Sequence, residues 1–271
     1  MPLGSLCCYV QEEFVIADDP QPPRQPSAAD FDALYRGDFD AFARNTELPV
    51  AAQRNELDFD RVPWDIGEAQ PVVRKLEADG QLASEVLDIG CGLGENALFL
   101  ADRGYRVCAL DASPTAIGIA RERAGLRGLE KEVDFDVADA MTLDGYDNRF
   151  TTVLDSALYH CFPEDQRQPY VEAVLRSCRP QARLHLVCFS DEVPEEFPGP
   201  YRISEDNLRR TLADAGWIVR HLERTTYTTA FTREEFARHA NSPLAAIVEG
   251  LGFDSRDRIL APAWLATAEH P

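Results

Sequence analysis

Lysine is almost absent: Lys75 and Lys131 are the only two in 271 residues, and every other basic side chain is an arginine or histidine. With 27 lysines and arginines against 47 acidic residues the formal charge is -20, which repels phosphate backbones and anionic lipid headgroups. Nucleic acid and membranes are therefore not expected as partners. Long apolar runs are missing too; none approaches the roughly 20 residues that a membrane-spanning helix needs. The opening "MPLGSLCCYVQEEFVIADD" has neither a basic region nor a clean apolar stretch, so no secretory signal is expected. The seven cysteines, Cys7, Cys8, Cys91, Cys108, Cys161, Cys178 and Cys188, are odd in number and match no zinc spacing. A reduced, cytoplasmic setting is the plain reading.

What is present is a chain long enough for one sizeable core, with 45% hydrophobic residues. Residues 1–28 form a proline-rich segment ("DDPQPPRQPSAAD") unsuited to regular packing. Residues 29–80 read as a helical cap: Phe31, Leu34, Tyr35, Phe39 and Phe42 recur at helical spacing, and a second helix is predicted from Gln70 to Asp79, stopped by Gly80. From 81 to 271 the pattern is regular. Apolar runs at 85–89, 106–110, 132–137, 150–155 and 183–189 alternate with helical patterns at 94–103, 113–125 and 165–178. Such alternation predicts a doubly wound α/β fold. Two further strands follow, "WIVRHLERTTYTTA" and "RILAPAWLATAE", the second with Pro262 marking a bend or an edge. Between them an insertion at about 232–256 carries a helix of its own.

The informative stretch is "EVLDIGCGLGENALFLADRGYRVCALDAS" at 85–113. A strand runs into Gly90, Gly92 and Gly94, at the carboxyl edge where open α/β sheets bind ligands, and glycine lets backbone approach a ligand closely. A nicotinamide dinucleotide, and so an oxidoreductase, needs a third glycine one position later; Glu95 stands there instead. Asp88, just before the turn, would face a pyrophosphate unfavourably but suits an ammonium. Asp111, 23 residues on, is placed to accept both hydroxyls of a ribose. A ligand with a ribose and positive charge but no phosphate describes S-adenosylmethionine.

The same stretch, with "VADAM" and "VLDSALYHCF" after it, resembles the cofactor core of the class I S-adenosylmethionine-dependent methyltransferases. More narrowly, "VPWDIGEAQP" and "LDSALYHCFPEDQRQPYVEAVLRSCRPQARLHLVCFSD" resemble the thiopurine methyltransferase-like group that modifies small heterocyclic molecules. The resemblance implies a Rossmann-like, seven-stranded, mostly parallel sheet whose last strand is antiparallel. It implies that the Asp88, Gly90, Gly92, Gly94 turn wraps the methionine part of the cofactor and that Asp111 holds the ribose. Ala112 and Ser113 would lie beside the adenine, Asp139 and Ala140 at its edge, and Asp155 next to the methionine moiety. Trp64 would cover the cofactor, with Gln70 reaching its carboxylate. The sequence departs from the family at Gln181 and Ala182, where Pro-Gly-Gly is common.

Methyl transfer from a sulfonium is an in-line displacement, and a base is needed only for an acceptor that arrives protonated. His160, five residues past the fourth strand, has an unperturbed pKa of about 6.5 and is the candidate base; holding a loop carbonyl or packing on the cofactor is its other reading. Tyr159 reads as packing. No metal site is expected, since Glu164 and Asp165 read as surface residues opening a helix. The reading that results is a methyltransferase acting on O, N or S of a small, aromatic or heteroaromatic acceptor, with S-adenosylhomocysteine as product. A binding protein that senses S-adenosylmethionine without turnover, or a nicotinamide-dependent oxidoreductase on a similar fold, is the alternative.

Overall fold

The computed structural model describes residues 26–39, 61–195, 197, 199–237 and 250–271. Phe42, residues 1–25 of the proline-rich segment and residues 238–249 of the predicted insertion lie outside these.

A sheet in the order β3-β2-β1-β4-β5-β8-β6 runs through the middle. Its strands are β1 (Val86–Ile89), β2 (Val107–Asp111), β3 (Val133–Val137), β4 (Phe150–Ser156), β5 (Cys178–Phe189), β6 (Ile218–Thr232) and β8 (Arg258–Glu269), with a two-residue β7 (Gly252–Phe253) pairing β8. Strands β1 to β5 are parallel; β8 inserts antiparallel between β5 and β6. The order reverses between β1 and β4, and that reversal opens a crevice at the carboxyl ends.

Period-two alternation sends β1 into two cores. Val86 packs with helices α1 (Ala28–Tyr35), α2 (Pro71–Ala78), α3 (Glu95–Asp102) and α4 (Pro114–Arg127). Leu87 and Ile89 face α5 (Glu164–Ser177) and α6 (Glu205–Asp214) on the other side. Ser113 and Ser204 cap α4 and α6, accepting from Ala116 N and Asn207 N. A short α7 (Arg233–Ala237) opens the predicted insertion.

One boundary and one placement stand out against expectation. β5 starts at Cys178, not 183: Cys178 pairs with Phe150, and an irregular stretch with Gln181 at φ 67 separates that pair from the continuous pairing that begins at Arg183. Pro262 lies in an interior strand. Its carbonyl accepts from Ser190 N, one residue beyond the last β5–β8 pair, Phe189–Ala263, so its missing N–H falls where β5 has already ended.

Candidate functional site

A cavity of about 520 Å³ opens at the carboxyl edge of the sheet, within the range of small-molecule sites. Its walls come from the ends of β1 (Ile89, Gly90), β2 (Asp111, Ala112, Ser113), β3 (Ala138 to Met141), β4 (Ser156 to Leu158), β5 (Phe189) and β6 (Tyr227, Thr229, Phe231). Helix α1 and Trp64 line it too. A second space of about 40 Å³ adjoins it and shares Trp64, Gly90, Ser156 and Tyr227.

The glycine turn is tight because its neighbours leave no room for a Cβ. Gly90 and Gly92 have φ of 69° and 52°. A Cβ on Gly90 would stand 2.9 Å from Leu158 Cβ, and one on Gly92 would stand 2.9 Å from Tyr35 Oη. Gly94 serves packing instead: its Cβ would meet Ala120 and Phe135 at 3.0 Å, so it brings α4 and β3 close together.

Asp111 organises the turn. Its Oδ2 accepts from Gly92 N at 2.9 Å and its Oδ1 from Ser113 N at 2.9 Å. Each oxygen retains lone-pair capacity toward the cavity. Burial raises its pKa, against the pull of these N–H donors. Asp88 is 1% exposed, its Oδ2 has no hydrogen-bond partner, and burial, with Asp111 and Asp155 nearby, pushes its pKa up to about 7. Ser156 Oγ, which lines both spaces, is likewise buried and unpartnered. Asp88 lines neither space, so of these two unmet groups Ser156 Oγ meets the cavity and Asp88 acts as buried charge behind the turn; together they suit a cationic, hydrogen-bond-donating ligand.

Other predicted residues fall into two sets. Ala112, Asp139 and Ala140 line the cavity; Asp139 accepts from Met141 N at 2.8 Å through one oxygen and has the other free of any such bond among the described residues. Trp64 lines both spaces, donates to Tyr35 Oη at 3.0 Å and meets Phe31 and Tyr35 edge-on. Ser113 has its hydroxyl fully engaged, donating to Asp32 Oδ1 at 2.5 Å and accepting from Ala116 N. Gln70 lines the smaller space, but its carboxamide exchanges two bonds with the Thr228 backbone, at 2.9 and 3.1 Å. Asp155 lines neither space. It accepts from Leu158 N, Tyr159 N and the Tyr170 hydroxyl, and so holds the turn after β4. Burial raises its pKa to about 6.

His160 is in the cavity wall, and its imidazole is held by backbone. Its Nδ1 accepts the Phe189 N–H at 2.8 Å, and burial, then the Arg202 charge, lowers its pKa to about 3. The lone pair a base needs is already occupied.

The aromatic lining was not legible residue by residue. Phe162, Phe189 and Phe197 gave no signal, though Tyr227, Thr229 and Phe231 stand at i, i+2 and i+4 of a strand and so share a face. Among the described residues no cluster of three metal-ligating side chains occurs, and no helix is long and apolar enough to cross a membrane.

Residues 86–181 match the family described as "Methyltransferase domain". The 2-heptyl-1-hydroxyquinolin-4(1H)-one methyltransferase of Mycobacteroides abscessus is 42% identical over 160 residues, 59% of this chain and 70% of that protein. A structure described as "Conversion of a Disulfide Bond into a Thioacetal Group during Echinomycin Biosynthesis" is 34% identical, covers 90% of this chain and 92% of its own, and superposes with a TM-score of 0.67. The magnesium protoporphyrin IX methyltransferase of Synechocystis PCC 6803, solved with bound S-adenosylmethionine, shares the fold at 21% identity and a TM-score of 0.51, over 74% of this chain and 76% of that one.

Proposed function

The chain belongs to the class I S-adenosylmethionine-dependent methyltransferases, and within that family we propose that it methylates O, N or S of a small, planar aromatic or heteroaromatic molecule. The observation that carries this reading is the cavity itself. Asp111, after β2, and Asp139, after β3, are its carboxylates, while Phe31, Phe162, Phe189, Phe197 and Phe231 supply an apolar aromatic remainder. The quinolone-methylating relative supports the same acceptor class.

The cofactor supplies an activated methyl group on a sulfonium. In this reading Asp111 holds the ribose, Gly90 and Gly92 admit the methionine backbone, and Asp88 with Ser156 answers its ammonium. Ala112, Asp139 and Ala140 border the adenine, and Trp64 shuts the site against water. Ser113, Gln70, Gly94 and Asp155 keep those residues in place. Residues 29–80 act as a cap on a core at 81–271. Three contacts fit that role: Ala230 N donates to Pro63 O at 2.7 Å, Arg123 pairs with Asp65 at 2.7 Å, and Arg258 with Glu68 at 2.9 Å. Alignment and desolvation are the chain's main contributions to rate.

The test is transfer of a labelled methyl group to a panel of phenols, thiols, hydroxyquinolones and N-heteroaromatics. Label moving to one of these classes is expected. Label appearing in a macromolecular fraction alone, or a bound cofactor with no transfer at all, contradicts the proposal; the latter is the sensor's outcome.

A further inference from the structure

We propose that His160 is a fixed hydrogen-bond donor that selects methyl acceptors already carrying an ionised oxygen, nitrogen or sulfur, not the base that deprotonates them. The inference rests on the small-molecule reading above and names the acceptor's chemistry.

The turn that carries His160 is built to hold it still. Residues Tyr159–Cys161 form a single 3-10 turn, and Asp155 anchors it from behind through Leu158 N at 2.8 Å and Tyr159 N at 3.0 Å. The imidazole stands edge-on to Phe189, ring centroids 4.5 Å apart, and is 3% exposed. A backbone N–H only donates. Because Phe189 N lies 2.8 Å from Nδ1, that nitrogen carries the lone pair, and the proton of the neutral ring resides on Nε2.

With Nδ1 turned to the β5 backbone, Nε2–H is the polar group the ring offers to the cavity it lines. Taking up a second proton would break the bond to Phe189 and strand a buried backbone N–H. It would also place a cation beside Arg202 and Arg167, the charged groups acting on the ring. A base at this position is therefore disfavoured from both directions; a donor has the Ala157 carbonyl, which acts on the ring, and any lone pair the ligand brings. A phenolate, thiolate or deprotonated N-hydroxy oxygen brings several; a neutral hydroxyl must turn its own proton away.

In the step so described, the acceptor loses its proton to solvent before it binds. Its electron pair then forms the bond to the methyl carbon as the carbon–sulfur pair passes to sulfur. The class implied is planar acceptors whose O–H, S–H or ring N–H ionises near or below neutral pH.

The experiment measures kcat/KM against pH for hydroxyquinolones, phenols and thiophenols of graded acidity, in the wild type, His160→Asn and His160→Gln. Asn keeps an oxygen where Nδ1 stands and so can still serve Phe189 N–H, but it has no donor at Nε2. Gln places an amide N–H near Nε2. The expected result is a plateau at high pH whose midpoint tracks each acceptor's own pKa. His160→Asn should lower that plateau about tenfold, with unchanged S-adenosylhomocysteine affinity, and Gln should recover part of the loss. A midpoint that stays fixed across acceptors, disappears in His160→Asn and returns with added imidazole overturns the proposal. So does equal turnover of acidic and weakly acidic acceptors, which leaves the small-molecule reading intact. No wild-type transfer to any acceptor overturns both.

Discussion

Asp32, on the N-terminal helix, accepts from Ser113 Oγ at 2.5 Å and from Thr115 N at 3.1 Å. The cap helix α1 thus helps to close the first turn of α4, the helix that starts directly after Asp111. This ties the lid to the ribose end of the cavity through a helix N-terminus, where a carboxylate is favoured. Partial burial raises the Asp32 pKa, but the donors from Ser113 and Thr115 outweigh it and hold the carboxyl below its ordinary value. The sign follows: the latch is in place above the ordinary aspartate range and is lost as pH falls through the lowered native pKa. Asp32→Ala should cost about 1 kcal/mol of stability, the usual worth of a helix cap. It should weaken S-adenosylhomocysteine binding several-fold at pH 7, measured by calorimetric titration. Unchanged affinity would show that the latch and the site are independent.

Asp88 yields a pH signature of the opposite sense. Its native pKa of about 7, raised chiefly by burial, means the native state prefers its acid form, so its contribution to stability falls as pH rises from about 4 to about 7. A ligand ammonium favours the carboxylate. Affinity for S-adenosylhomocysteine should therefore rise through pH 7, with proton release on binding below it. In Asp88→Asn the pH dependence should flatten. Titrations in buffers of different ionisation enthalpy read the released proton directly.

The two turn glycines should fail differently. In Gly90→Ala the new Cβ meets Leu158 Cβ at 2.9 Å, an atom fixed to backbone, on top of a φ of 69°. A loss of about 2 kcal/mol or more, seen as a lower thermal midpoint, is expected. In Gly92→Ala the contact is Tyr35 Oη, the far end of a side chain. Tyr35 can swing away, taking the Trp64 bond with it, so cofactor affinity should fall more than stability does.

Gln181 offers a gain. It adopts φ 67, a conformation glycine accepts freely, and its N–H donates to His270 O. Gln181→Gly should raise stability by up to about 1 kcal/mol. Turnover should not change, because residue 181 lies at the amino end of β5, away from the cavity. A lower thermal midpoint would contradict this.

How far the sequence carried can be judged from particular residues. Asp111 and the three glycines were visible because tight turns restrict residue type, and the strand–helix alternation was visible because burial enforces period. Asp155 and Gln70 were placed at the cofactor by the family resemblance, but side-chain direction sends Asp155 behind the turn and Gln70 onto Thr228. His160 was offered as a base from its pKa and its place five residues past the fourth strand, with a hydrogen-bonding or packing role left open; the bond at its Nδ1 comes from Phe189, 29 residues away. Asp32 was missed for the same reason, since its partner Ser113 is 81 residues distant. No periodicity encodes such pairs.

The most direct test of the account is a structure of the protein with S-adenosylhomocysteine and a hydroxyquinolone bound together. The account predicts both ribose hydroxyls on Asp111, the ammonium beside Asp88 and Ser156, and the planar ring among Phe31, Phe189 and Phe197 with its oxygen on His160 Nε2. A ribose held elsewhere, or a planar acceptor bound outside this cavity, would contradict it.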